Sequence, residues 1–207
     1  MQGKPDLTFY ILRHADKEKG DFTNPHLPLQ DPPISQVGEE QARNLQRFFT
    51  EREIAHIYIS AYQRTGQTIA FVAEQFGLTP VIDQRLNEIN IGLFALATDD
   101  EIREKFPAEW QAYRERKSDF HFPEGESGAE AQQRIVQFLG EKRQAHGDEN
   151  VIAVSHDGLI RTLMCHLMGI PVTSRWNFYV DYCGLTEITY QPEYKEWKLI
   201  RFNQTCA

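Results

Sequence analysis

The segment Thr8-Phe9-Tyr10-Ile11-Leu12-Arg13-His14 decides the fold of this chain, read with its counterpart Asn150-Val151-Ile152-Ala153-Val154-Ser155-His156. Each is a short run of β-branched, aromatic and aliphatic residues, the pattern of a buried strand. Each ends on a histidine. Helical periodicity follows between such runs, and strands alternating with helices form a mostly parallel sheet covered on both faces. In such sheets ligands bind in the crevice outside the carboxyl ends of the strands. His14 and His156 are therefore both expected where a substrate would sit.

Working outward, residues 15–33 form a loop rich in Asp, Asn, Pro and Gly. A loop of that length inside a compact domain is often functional. Ser35 is placed to cap a helix whose buried face is Ala42, Leu45, Phe48 and Phe49. A strand at Ala55–Ser60 follows, then a helix carrying Ile69, Val72, Ala73 and Phe76, which Gly77 stops. A short strand is expected at Pro80–Asp83. Residues 84–128 read as an insertion with one or two polar helices that caps the site, ending in the turn Pro123–Ser127. Its aromatics Phe106, Trp110 and Tyr113 recur at steps of three and four and are expected to pack against the domain.

A long helix at about 128–145, with Ala131, Ile135, Phe138 and Leu139 on one face, leads into the second key strand. A helix at Gly158–Met168 and a hairpin of Leu185–Tyr190 with Trp197–Phe202 complete the chain. The expected fold is α/β: a single domain over residues 1–207, built as a three-layer sandwich. It has a mostly parallel central sheet, helices on both faces and a small helical cap insertion.

The bulk properties exclude several classes. At 207 residues the chain can bury a core without staples. Its formal net charge of −8 lacks the basic face that a phosphate backbone requires, so nucleic acid is not the expected partner. Cys165, Cys183 and Cys206 have no metal-thiolate spacing, and so sparse a set fits a reducing compartment. The opening MQGKPDL has no signal architecture, and no apolar run reaches the roughly 20 residues of a membrane span. A cytoplasmic location, no membrane partner, and a monomer or homodimer are expected. Trp176, Phe178, Tyr179 and Tyr182 are read as core rather than as a dimer face.

Four constellations carry chemistry. Arg13-His14 ends the first strand. Ser155-His156-Asp157-Gly158 turns from strand into helix, whose first N–H groups form an anion site. Ser60 to Thr68 places Arg64 in the first turn of a helix, an awkward position for a cation unless an anion lies nearby. Arg85-Leu86-Asn87-Glu88 puts Glu88 in the loop after the third strand. Together, two arginines and two histidines at strand ends suit a dianionic phosphoryl group. A neutral imidazole can attack phosphorus while arginine forks neutralise the oxygens. A nearby carboxylic acid can protonate the leaving oxygen.

In this order the residues resemble the histidine phosphatase superfamily, the phosphoglycerate-mutase-like family, over nearly the whole chain. Pro33-Ile34-Ser35 with Gly38 and Gln41-Ala42, and Gly125-Glu126-Ser127, are similar to further family motifs. The resemblance implies a phosphoric monoester hydrolase that forms a covalent phosphohistidine and needs no metal or other cofactor. His14 would be the nucleophile. Arg13, Arg64, His156 and Asp157 would line the phosphate site, and Glu88 would be the general acid and then base. The partner is a small phosphorylated substrate.

Departures from the family pattern are Ala15 and Asp157 where glycines are usual, Asp16, and Gly92–Leu96 in place of a Trp- and Glu-containing segment. Three other readings stay open: a phosphomutase on the same core, a phosphate-binding pseudoenzyme, and a metal-dependent hydrolase using His14, Asp16, His156 and Asp157.

Overall fold

A computed structural model describes residues 7–206. The opening residues, read above for targeting, lie outside this range. The strands are β1 (Thr8–Arg13), β2 (His56–Ile59), β3 (Val81–Ile82), β4 (Val151–Ser155), β5 (Leu185–Gln191) and β6 (Glu196–Gln204). They form one sheet in the order β3-β2-β4-β1-β5-β6. β1, β2, β3 and β4 run parallel, and β5 and β6 are antiparallel additions at one edge.

The helices are α1 (Gln36–Phe49), α2 (Gln63–Phe76), α3 (Asp99–Lys105), α4 (Pro107–Glu115), α5 (Gly128–His146) and α6 (Asp157–Leu167). Strand alternation assigns the two faces. Phe9, Ile11, Val151 and Ala153 point into one core with Ile135, Phe138 and Leu139 of α5 and Ile160 and Leu163 of α6. Tyr10, Leu12, Ile152 and Val154 point into the other with Leu45 and Phe49 of α1 and Ile69 and Val72 of α2. Both faces of β1 and β4 are thus covered, which is why these strands read as continuous apolar runs. Each large apolar side chain buried this way contributes about 1.5–3 kcal/mol.

The local stop and start signals act as expected. The Ser35 side chain accepts the Gly38 N–H at the start of α1, and Gly77 closes α2 in the left-handed conformation at φ 64°. Ser127 caps α5, with Glu130 reaching back to its N–H.

Residues 84–128 hold two short 3-10 turns, α3 and α4. Their aromatics do pack inward: Phe94 meets Phe106, Tyr113 and Phe122, and Tyr113 also meets Trp176. One reading needs correction. Tyr179 is 66% exposed rather than core, because it follows the irregular turn after Trp176 instead of a strand.

The loop after β1 lies directly on α1. A Cβ at Gly38 would stand 2.1 Å from the Asp16 carbonyl oxygen. Gly38→Ala is expected to destabilise the protein by about 1–3 kcal/mol, because backbone must move to admit the methyl group. A urea midpoint within error of wild type would refute this account of the contact.

Candidate active site

The register of β1 against β4 pairs Arg13 with Ser155. The residues that follow, His14 and His156, therefore leave the sheet side by side, with ring centroids 5.1 Å apart. The His14 N–H still donates to the Ser155 carbonyl (3.0 Å), so its backbone is anchored where the imidazole begins.

His14 Nδ1 lies 2.7 Å from the Ala15 carbonyl oxygen. A carbonyl only accepts, so Nδ1 carries the proton and Nε2 keeps its lone pair. Burial, reinforced by Arg64, holds the His14 pKa well below the usual histidine value, so the ring is neutral at neutral pH. This is the form a nucleophile needs. Ala15 is fully buried in the α1–α2 core without a positive φ, and its N–H donates to Thr68 Oγ1 (2.8 Å). The methyl group that departs from the family pattern is accommodated by packing.

His156 is completely buried. Its Nδ1 faces Arg64 Nη2 at 3.1 Å and its Nε2 faces Ser60 Oγ at 2.8 Å. A guanidinium cannot accept, so Nδ1 accepts from Arg64 and Nε2–H donates to Ser60. Burial, and then His14, lower the His156 pKa well below the ordinary value.

Arg64 is itself buried, 3.6 Å from the Asp31 carboxylate and 3.3 Å from the Gln30 carbonyl. Asp31 also accepts the Gln63 N–H (3.0 Å), which binds the long loop after β1 to the start of α2. Arg13 donates to the Val180 carbonyl (2.5 Å) and lies 4.0 Å over the Tyr182 ring. Among the described residues, the buried Nε of both Arg13 and Arg64 has no protein acceptor. These are donors suited to an anion.

Glu88 sits on the first turn of α6. Its Oε1 accepts the N–H groups of Ile89 (2.8 Å) and Leu159 (3.1 Å), and its Oε2 accepts that of Gly158 (3.2 Å). The helix N-terminus attracts the carboxylate there. A Cβ at Gly158 would lie 2.7 Å from Glu88 Oε1, so the glycine makes room for the acid.

Asp157 turns elsewhere: its carboxylate pairs with Arg161 one turn along α6, at 2.6 Å. That leaves the Asp157 backbone N–H, which no earlier helical carbonyl can bind, as the group of this residue open to an anion. Asp16 is likewise engaged, accepting from Ser35 Oγ at 2.5 Å. One oxygen of each carboxylate of the metal-hydrolase reading is thus held by another partner, while the buried Asp157 Oδ1 has none among the described residues.

The structure brings His14, His156 and Arg64 into one cluster, sets Arg13 against it through Tyr182, and seats Glu88 on the helix that follows His156. It also adds residues that the motifs did not single out. Lys17 is half-buried, with its pKa lowered by burial and then by the nearby Arg64 and Arg13. Its only sequence signal is a position three residues past His14. Tyr182, read as core, stands 5.7 Å from the His14 ring. Arg134 holds the Glu88 loop from behind. It donates to the carbonyls of Arg85 (2.6 Å) and Glu88 (3.2 Å) and pairs with Glu126 (2.8 Å), the middle residue of the Gly125-Glu126-Ser127 turn.

Both buried imidazoles make stability depend on pH. Unfolded, each takes up a proton below about pH 6.5; folded, each stays neutral to lower pH. The unfolded state then binds more protons, so stability present above that pH is lost as the pH falls below it. The loss is up to about 1.4 kcal/mol per pH unit for each ring. The urea midpoint is expected to drop between pH 7 and pH 5, and to drop less steeply in His14→Ala. Equal slopes would mean that His14 is not held neutral by burial.

The family model for the histidine phosphatase superfamily (branch 1) matches residues 9–205. The chain is 30% identical to phosphoserine phosphatase 1 of Hydrogenobacter thermophilus over 196 residues, covering 95% of this chain and 92% of that protein. It is 26% identical to a probable phosphoglycerate mutase of Shigella dysenteriae, covering 89% of this chain and 86% of that one. The fold is similar to that of mycobacterial glucosyl-3-phosphoglycerate phosphatase, with a TM-score of 0.78 at 22% identity over 97% of this chain and all of the other. The chain belongs to the histidine phosphatase superfamily.

Proposed function

We propose that this protein is a phosphomonoesterase that hydrolyses a small phosphorylated metabolite through a phosphohistidine formed at His14. The observation that carries this reading is the Nδ1–H bond from His14 to the Ala15 carbonyl, which leaves Nε2 of a neutral ring available beside arginines. In the first step Nε2 bonds to phosphorus as the bond to the leaving oxygen breaks, and Glu88 gives that oxygen a proton. Arg13, Arg64, Lys17 and the Asp157 N–H hold the remaining phosphoryl oxygens, and His156 joins them when its Nε2–H turns from Ser60 to the substrate. In the second step water attacks phosphorus, Glu88 takes its proton, and orthophosphate leaves with His14 restored.

A cavity of about 240 Å³ beside Glu88 would take the leaving group. Ile89, Tyr113, Phe122 and Trp176 line it, and its two arginines are already paired, Arg161 with Asp157 and Arg175 with Asp119. A mutase must hold a second phosphate there, so this neutralised wall favours hydrolysis. The similarity to phosphoserine phosphatase 1 of Hydrogenobacter thermophilus supports the same class. We read residues 84–128 as a cap on a single domain, because Tyr113 and Phe122 form part of this wall. No helix of the described residues is long and apolar enough to cross a membrane, which is compatible with a cytoplasmic enzyme.

The test is to quench turnover in alkali with chelator present and map the phosphorylated residue by mass spectrometry. A phosphoramidate on His14, stable in alkali and lost in acid, is expected. Phosphate on another residue, or steady turnover that never labels the protein, would overturn the reading.

Leaving-group dependence tests Glu88. Glu88→Gln is expected to slow an alkyl phosphate by about 10²-fold or more, and para-nitrophenyl phosphate far less, since nitrophenolate departs without a proton. Gly158→Ala, which displaces the carboxylate, is expected to show the same split. Equal losses on both substrates would reduce Glu88 to a capping residue.

A further inference from the structure

His56, His146 and Glu149 meet at the edge of the sheet opposite the His14–His156 crevice. His56 opens β2, His146 closes α5, and Glu149 lies in the turn between α5 and β4. The five residues of β4 separate this cluster from His156 by about 16 Å at the usual strand rise.

The backbone holds the three side chains in register. The Glu149 N–H donates to the His146 carbonyl (3.1 Å), which closes the turn. Asn150 ties the turn to the chain entering β2: its carbonyl accepts the Ala55 N–H (3.0 Å) and its amide donates to the Glu53 carbonyl (2.8 Å).

His56 Nε2 is 2.7 Å from Glu149 Oε2, and the two imidazoles stack with centroids 3.7 Å apart. One donor atom from each residue can be chosen so that all lie within 4.8 Å of one another. Tetrahedral zinc needs about 3.4 Å between ligand atoms, so binding requires Glu149 to swing away from His56 Nε2 and the stacked rings to turn until their lone pairs converge.

His146 Nε2 is already bonded to the Tyr58 hydroxyl (2.8 Å), leaving Nδ1 for a cation. A hydrogen bond from the second ring nitrogen is what orients a ligating imidazole. The neighbouring cation Lys142 is balanced by Glu141 (2.9 Å) and Asp83 (3.6 Å), so it does not repel a metal strongly.

We propose that His56, His146 and Glu149 bind one zinc ion, with solvent as the fourth ligand. Two imidazoles and one carboxylate favour zinc over calcium or magnesium, which prefer oxygen donors. The ion would clamp the end of α5 to the start of β2, and so stabilise the folded state rather than serve phosphoryl transfer.

The test is to strip tag-free protein with chelator and titrate it with Zn²⁺ against a chromophoric competitor. Wild type and His14→Ala are expected to bind one equivalent with the same affinity. Glu149→Gln and His56→Ala are expected to weaken it at least tenfold, and magnesium and calcium not to displace it. Zinc is also expected to raise the melting temperature of wild type and His14→Ala but not of Glu149→Gln. The exposed Glu149 makes that variant a safe one for folding. Unchanged affinity in Glu149→Gln and His56→Ala would overturn the proposal. Loss of the equivalent in His14→Ala would overturn it too, by assigning the metal to the catalytic crevice.

Discussion

Alanine at position 14 is expected to lower kcat for a phosphate monoester by at least about 10³-fold, with melting behaviour close to wild type. The size follows from the role: without Nε2 there is no atom to receive the phosphoryl group, and water must attack in its place. The cation cluster and His156 would still bind substrate, so KM should change much less than kcat. Relief of one buried imidazole should also flatten the acid side of the stability profile. The measurement is steady-state kinetics on para-nitrophenyl phosphate with and without chelator. Wild-type activity is expected to resist the chelator. Equal turnover in both proteins would remove His14 from the nucleophile role and return weight to a metal-assisted reaction. Absence of turnover in both would favour the phosphate-binding or mutase readings.

Arg64→Ala carries the second large effect, and it acts on activity and stability together. The guanidinium donates to His156 Nδ1 and faces Asp31 and the Gln30 carbonyl, and Arg64, His156 and Asp31 are buried. Its loss is expected to reduce kcat/KM by about 10²–10⁴-fold, because a dianion loses a fork of donors. It also leaves the Asp31 carboxylate uncompensated, which is expected to cost about 3 kcal/mol, the usual penalty for half of a buried pair. Two further variants separate these effects. Asp31→Asn in the Arg64→Ala background should recover stability without activity. Arg64→Lys should recover part of the charge but little of the rate, since one ammonium cannot bind His156 and a phosphoryl oxygen in the same plane. Activity returning with stability in the double variant would show that Arg64 acts only as scaffold.

Much of this molecule is legible along the chain because the physics that specifies it is local. Continuous apolar runs mark β1 and β4 as strands covered on both sides, Ser35 and Gly77 mark helix ends, and the histidine after each run marks the crevice. The Arg64 signal was also local: a cation at the positive end of a helix implies an anion nearby. Other site features carry no such mark. Lys17 is one more lysine in a polar loop. Tyr182 reads as any aromatic near a core until the turn after Val180 brings it against Arg13 and His14. The Glu126–Arg134 pair looks like a surface pair on adjacent elements, yet it holds the carbonyl of Glu88.

The class of fold, the two strand-end histidines and the chemistry their neighbours allow are written along the chain. Propensity, capping and periodicity act over a few residues and need no partner elsewhere in the chain. Which of these groups meet follows from strand order and packing. His14 and His156 are adjacent because β4 inserts between β2 and β1 with Arg13 in register with Ser155. Glu88 lies on α6 because Gly158 leaves space for it, and Asp157 is drawn off the site because Arg161 stands one helical turn away. Such pairings join distant residues through strand order and packing, and those are set by burying both faces of the sheet at once rather than by any single segment.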